Sequence, residues 1–205
     1  GGAQLSHLAA ASGATLAIMI PVMLVMPYRM KRIMYWIGSI FSESESLSQG
    51  LGYQAQQSLI SLGNGGIKGL GIGNSLEKNL LLPEPHTDFI FAIIGEELGF
   101  LIGTVPVLTL FLLIFFRGVK ISKNCTDPFG VFISIGIVFN LVLYAFVNAA
   151  VVTGVFPVTG LPMPMVSYGG SGMVINMALM GILLNVSQSK RSLRTSTTWS
   201  PRLYE

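Results

Sequence analysis

The run from Phe89 to Phe116 has no home in a soluble domain. It carries ionisable groups only at Glu96 and Glu97, and at about 1.5 Å of rise per residue it exceeds the roughly 30 Å of a bilayer's hydrocarbon. Three further stretches, 8–27, 129–153 and a weaker one at 165–186, also reach spanning length. Composition agrees, with 51% hydrophobic and only 10% charged residues where an average soluble domain carries roughly 25% charge. The expected fold is all-α: a polytopic helical bundle of about four transmembrane helices with a long extracytoplasmic loop carrying short helices. Residues 1–205 then form one incomplete membrane domain.

Short loops orient such a bundle through their Lys and Arg. Arg117, Lys120 and Lys123 fall in the loop 117–128, and Lys190, Arg191 and Arg194 in the tail 187–205, so both belong on the cytoplasmic side. The loop 28–88 and the segment Gly154 to Tyr168 then lie outside. Arg29, Lys31 and Arg32 oppose this, but their loop is long enough for the charge rule to lose force. A net charge of +3, gathered in short loops, argues against a nucleic-acid partner. The single cysteine, Cys125, excludes an internal disulfide framework. Gly1 to His7 lacks the basic start of a signal peptide, and the missing initiator Met suggests a chain that begins partway through a longer one.

Chemistry concentrates in LPEPHTDFIFAIIGEELGF, Leu82 to Phe100, where Glu84, His86 and Asp88 open into the apolar run. Ionisable groups at the mouth of a span and inside it are costly in hydrocarbon and read as functional by default. Thr87 and Asp88 also have the look of a helix N-cap. A His and two acids this close suggest a metal, yet H-x-D lacks the spacing of a zinc motif, and no G-x-S-x-G elbow supports a hydrolase. Glu96 and Glu97 lie about two turns further in, where they either pair with a polar partner or line a wet cavity. Gly95, Gly99 and Gly103 repeat at every fourth residue, a small-residue ladder that lets another helix approach closely, either within the chain or from a partner span.

The outer loop is too long for a plain connector. YRMKRIMYWIGSIF, Tyr28 to Phe41, suits a segment lying in the headgroup region or an aromatic belt. A helix-like stretch with Gln54, Gln56 and Gln57 follows, then SLGNGGIKGLGIGNS. Its glycines fit neither the Rossmann nor the Walker spacing, which leaves a backbone able to turn tightly and to expose amides. After the third span, GVFPVTGLPMPMVSYGGS carries Pro157, Pro162 and Pro164, which exclude a regular helix. Such a turn at membrane depth is tolerated where it is buried or lines a cavity. Ser167 and Tyr168 either bind a substrate headgroup or shape the turn, and Asn140 and Asn148 are more suited to knitting helices together.

GYQAQQSL, GIGNSLEK, LPEPHTDFIFAIIGEELGF and GVFPVTGLPMPMVSYGGSG together closely resemble the RodA/FtsW/SpoVE family of shape, elongation, division and sporulation proteins. QQSL, the GNS-x-x-K spacing and IGEELGF look most like the FtsW division branch, whereas GLPMPMVSYGGS also resembles the RodA branch, so an elongation-type polymerase is the alternative within the family. The resemblance covers nearly the whole chain and implies a multi-pass protein of the bacterial inner membrane, of which this chain is the C-terminal part. It implies a peptidoglycan glycosyltransferase that polymerises lipid II, an undecaprenyl-diphosphate-linked substrate, with a class B penicillin-binding protein and other divisome membrane proteins as partners. Asp88 matches the family's essential aspartate. Its chemistry suits the role, because glycosyl transfer needs a base for the acceptor hydroxyl while the lipid diphosphate leaves. Lys78, Glu84, His86, Ser167 and Tyr168 are the expected substrate contacts, with Lys78 or Lys68 meeting the diphosphate. No protein-bound metal centre is expected, but a divalent cation such as Mg2+ at the diphosphate fits oxygen ligands. The rival activity is lipid II transport, which would place its key acid near the midplane rather than at the edge. A partner-binding scaffold is a third reading, and it would leave the loop acids replaceable.

Overall fold

The computed structural model describes residues 4–25, 27–41, 51–75 and 87–196, and among these the regular structure is helical throughout. Residues 1–53 and 54–205 are separate compact units. The first holds α1, Leu5–Val25, and α2, Pro27–Phe41. The expected span 8–27 falls on α1, where Leu5–Met19 is apolar, and Pro21 lies within the helix. On α2, Met34, Tyr35 and Ile37 are exposed.

Helix α3, Leu51–Gly65, lies in the second unit from Gln54 onward and precedes the glycine-rich turns to Ser75. The long apolar segment follows as α4, Ile90–Gly99, a wide π turn, Phe100–Thr104, and α5, Val105–Asn124. Next come α6, Pro128–Val152, and α7, Gly170–Ser196. Ile90–Asn124, Pro128–Val152 and Gly170–Gln188 are each long and apolar enough to cross a membrane. The connection expected over 117–128 shortens to Cys125–Asp127, because α5 keeps its helical geometry through Lys120 and Lys123. There Asp127 caps α6 by accepting the Gly130 N–H at 3.0 Å, with Pro128 in the first turn, where a missing N–H costs nothing. The last span starts at Gly170 rather than 165. Pro162 and Pro164 bar a helix before it, and Met165 stands at φ 61°.

Packing is inverted relative to a soluble protein. Leu101, Ile102, Leu110, Leu113 and Phe116 point outward, as do Phe132 and Phe139 on α6. Since hydrocarbon offers apolar side chains as much as a core does, association rests on close fit and on polar pairs. Gly118 supplies the fit between α5 and α6: a Cβ there would lie 2.0 Å from Val138 Cγ2. One core cluster joins Phe89, Phe91 and Ala92 of the α4 end to Phe111, Ala145, Ala149, Val152 and Met163, and a second gathers Ile137, Val138, Leu141 and Leu183. The first of these carries the candidate site.

Candidate functional site

The expected straight helix from residue 89 to 116 is broken, and the break organises the site. Gly99 adopts φ 78°, ψ 177°, a conformation open to glycine and strained for other residues. In an unbroken helix the N–H groups of Phe100 and Leu101 would reach the carbonyls of Glu96 and Glu97. Instead the glycine-rich turns enter the gap. Leu70 N–H donates to the Glu96 carbonyl and Gly71 N–H to that of Glu97, both at 2.9 Å, while Phe100 N–H donates to the Gly66 carbonyl at 2.8 Å and Leu101 N–H to that of Ile67 at 3.3 Å. Two helical hydrogen bonds are thus exchanged for four between segments, so the opened backbone is satisfied, as burial in a membrane requires. Close approach depends on Gly65, where a Cβ would lie 2.0 Å from the Gly95 carbonyl oxygen. Among the described residues, Gly95 and Gly99 of the glycine ladder therefore face α3 and its turns, while Gly103 faces Ile94 and Leu98 of its own segment.

Glu96 fastens the same joint. It is 0% exposed, and its carboxylate accepts hydrogen bonds from Ser61 Oγ of α3, at 2.9 Å, and from Ser75 Oγ. Hydroxyl donors satisfy a carboxylate that burial would otherwise penalise heavily. Ser58, one turn before Ser61 and also buried, donates to the Val152 carbonyl at 3.0 Å and ties α3 to the end of α6. Glu97 is half-buried on the neighbouring position.

Asp88 stands at the opposite end of α4 in a turn, Thr87 to Phe89, and is half-buried. The N-cap position falls to Phe89, without a side-chain cap, so helix capping through the Thr87–Asp88 pair is replaced by a different restraint. Asn148 of α6, 1% exposed, donates from Nδ2 to the Asp88 carbonyl at 2.8 Å and to the Leu161 carbonyl at 2.7 Å. The Asp88 carboxylate lies against Gly160, whose φ is 73° and whose imagined Cβ would stand 3.4 Å from Asp88 Oδ2. A carboxylate so held beside an exposed loop is equipped to accept a proton from a hydroxyl brought to it. Lys78, Glu84 and His86 lie outside the described residues, as the segment 76–86 does. On either side of that segment the chain is pinned, at Ser75 by Glu96 and, one residue past Thr87, at Asp88 by Asn148.

Beyond Gly160 the loop closes on itself. Ser167 Oγ accepts the Met163 N–H at 2.7 Å and Ser167 N–H donates to the Met163 carbonyl at 3.0 Å, so this hydroxyl is engaged in shaping the turn. Tyr168 is 80% exposed. Ser167 and Tyr168 border a cleft of about 260 Å³ between α6, the loop and α7, with Asn140, Tyr144, Met163 and Asn176 among its other walls. Sequence reasoning reached Asp88 and the loop but missed Ser61, Ser75 and the clamping role of Asn148. Ser58, Ser61 and Gly65 do form a small-residue stripe at helical spacing on α3, a legible signal for close packing.

The cell cycle protein family FtsW/RodA/SpoVE matches residues 1–192. Stage V sporulation protein E of Bacillus subtilis (strain 168) is 40% identical over 190 residues, covering 93% of this chain and 50% of that protein. The probable peptidoglycan glycosyltransferase FtsW of Geobacter metallireducens is 42% identical over 173 residues, covering 84% of this chain and 44% of that protein. Among solved structures, a chain from work described as structural coordination of polymerization and crosslinking by a peptidoglycan synthase complex aligns with TM-score 0.63 and 28% identity, over 91% of this chain and 50% of that one. The chain spans about half the length of the relatives it matches. Helices long and apolar enough to span a membrane, the glycine-rich turns, the loop between α6 and α7 and these matches converge on one conclusion: the chain belongs to the FtsW/RodA/SpoVE family of multi-pass membrane proteins.

Proposed function

We propose that this chain is part of a peptidoglycan glycosyltransferase that polymerises lipid II into glycan strands during cell division, in the bacterial inner membrane. The observation that carries the proposal is the seating of Asp88: a half-buried carboxylate at the edge of a spanning segment, against Gly160 and fixed through its own carbonyl by Asn148. The FtsW relatives named as probable peptidoglycan glycosyltransferases support the activity.

In the proposed reaction Asp88 takes the proton from an acceptor sugar hydroxyl. That oxygen bonds to the donor sugar, and the bond between the donor and its lipid diphosphate breaks. The proposed substrate contacts are Lys78, Glu84, His86, Ser167 and Tyr168, with Lys78 or Lys68 the proposed cation for the diphosphate. A divalent cation such as Mg2+ would supply charge neutralisation at the diphosphate, and the Asp88 carboxylate is an oxygen donor of the kind it takes. A class B penicillin-binding protein is the proposed partner, in keeping with the polymerization and crosslinking named for the structural relative, alongside other divisome membrane proteins. In the proposed orientation the Asp88 end faces outward and the basic end of α5 faces the cytoplasm.

Translocation of lipid II is the second reading, favoured by the break at Gly99, since broken helices also build transporter sites. Full-length protein in vesicles loaded with lipid II separates the two. Glycan polymer is expected. Lipid II that crosses the membrane without forming polymer would establish the transporter instead.

A further inference from the structure

We propose that Asn148 is a positioning residue for the Asp88 carboxylate, and that its side-chain amide holds the two walls of the reaction site in register. This inference rests on the reading of Asp88 as the base. The two carbonyls that Asn148 Nδ2 reaches belong to segments 73 residues apart, Asp88 in the turn before α4 and Leu161 in the loop after α6. Both bonds are short, and the residue that makes them is buried to 1%.

Each segment contributes one half of the seat. The Asp88 turn brings the carboxylate, and the residue before Leu161 is Gly160, against which Oδ2 rests. Neither segment is regular helix at that point, so helical hydrogen bonding fixes neither one. Phe89 and Met163 pack into the core on either side of the clamp, and this packing sets depth but not the rotation of the turn. A primary amide suits the task because it offers two N–H groups from one nitrogen, with no charge to bury. Ser or Thr would offer one donor and Asp none when ionised. The Asn148 Oδ1 atom is buried without a hydrogen-bond partner, so the residue is held in place for its donors. Retaining an unpaired acceptor carries a cost, which is understandable where geometry elsewhere depends on the group.

The test uses full-length protein and lipid II, with initial rates of glycan formation measured per folded molecule. Asn148→Asp keeps the shape and removes at least one of the two donors, since a buried carboxyl offers one O–H when protonated and none when ionised. It is expected to lower kcat about 10²-fold, the scale of a misplaced catalytic group, with KM for lipid II unchanged within about threefold. Asn148→Gln keeps the donors but moves them by one carbon–carbon bond. It carries the same test if Asn148→Asp folds poorly, and a kcat loss with unchanged KM is again expected. Ser134→Ala, a buried change on the same helix remote from the site, controls for packing and should keep wild-type kcat. Asp88→Asn is assayed beside them. If Asp88→Asn is inactive while a folded Asn148 variant keeps kcat within about twofold of wild type, the positioning role is refuted and the base assignment stands. If Asp88→Asn itself turns over normally, the base assignment fails and the inference falls with it.

Discussion

The two halves of the long apolar segment, Asp88 to Leu101 and Val105 to Asn124, are built on opposite principles. The second is continuous helix whose outward side chains, such as Leu110, Leu113 and Phe116, are exposed, and it meets α6 through the groove at Gly118. The first is short, broken at Gly99 and held from outside: four backbone hydrogen bonds from the glycine-rich turns, two serine hydroxyls on Glu96, and the Asn148 amide on Asp88. In a bilayer the hydrophobic effect does little to tell one helix packing from another, so unique geometry comes from polar bonds and from glycines that admit them. The candidate chemistry lies in the half that carries both.

Substitutions can break this contrast, and their effects should fall in order. Gly99→Val asks a β-branched residue to adopt φ 78° with its Cβ 2.4 Å from Gly69 N, and should destabilise the fold by more than about 3 kcal/mol, read as loss of folded protein in detergent. Glu96→Leu removes the acceptor shared by Ser61 and Ser75, with an expected cost of about 2 kcal/mol in thermal unfolding. Glu96→Gln keeps an acceptor oxygen and should cost less, with activity per folded molecule largely retained. A fully folded Glu96→Gln protein that polymerises lipid II but fails to translocate it would instead make Glu96 a relay acid. Smallest of all, Leu110→Ala on the exposed face of α5 should change stability by no more than about 0.5 kcal/mol. If Leu110→Ala matches Glu96→Leu, the two halves do not differ as described.

Orientation gives an independent check. A cysteine introduced at Tyr168, which is exposed, should react with an impermeant thiol reagent added outside intact cells, whereas native Cys125 at the α5–α6 connection should not. Labelling of Cys125 with protection of position 168 would invert the bundle.

Three of the four expected spans coincide with helices long and apolar enough to cross a membrane, Ile90–Asn124, Pro128–Val152 and Gly170–Gln188, because length and apolarity are local properties of sequence. Asp88 was legible because an acid at the mouth of such a span is costly. The break at Gly99 was not, since Gly95, Gly99 and Gly103 read equally well as a ladder within one helix. What decides between the two is the arrival of Gly65 to Gly71 from elsewhere in the chain, a tertiary event that helical periodicity does not encode. Asn148 stayed hidden for the same reason, because a polar residue on an apolar span announces a partner without naming it. Ser167 reads from sequence either as a substrate contact or as a turn residue, and its hydroxyl accepts the Met163 N–H, a local hydrogen bond of the kind serine forms readily in turns.

The central claim is that a carboxylate held at the Asp88 turn performs the transfer, and Asp88→Asn tests it most directly. The change keeps the size of the side chain and leaves the backbone carbonyl that Asn148 holds, while deleting the base. Measured on full-length protein with saturating lipid II, glycan formation should fall by about 10² or more with membrane insertion and thermal stability unchanged. Turnover at the wild-type rate by this variant would contradict the account.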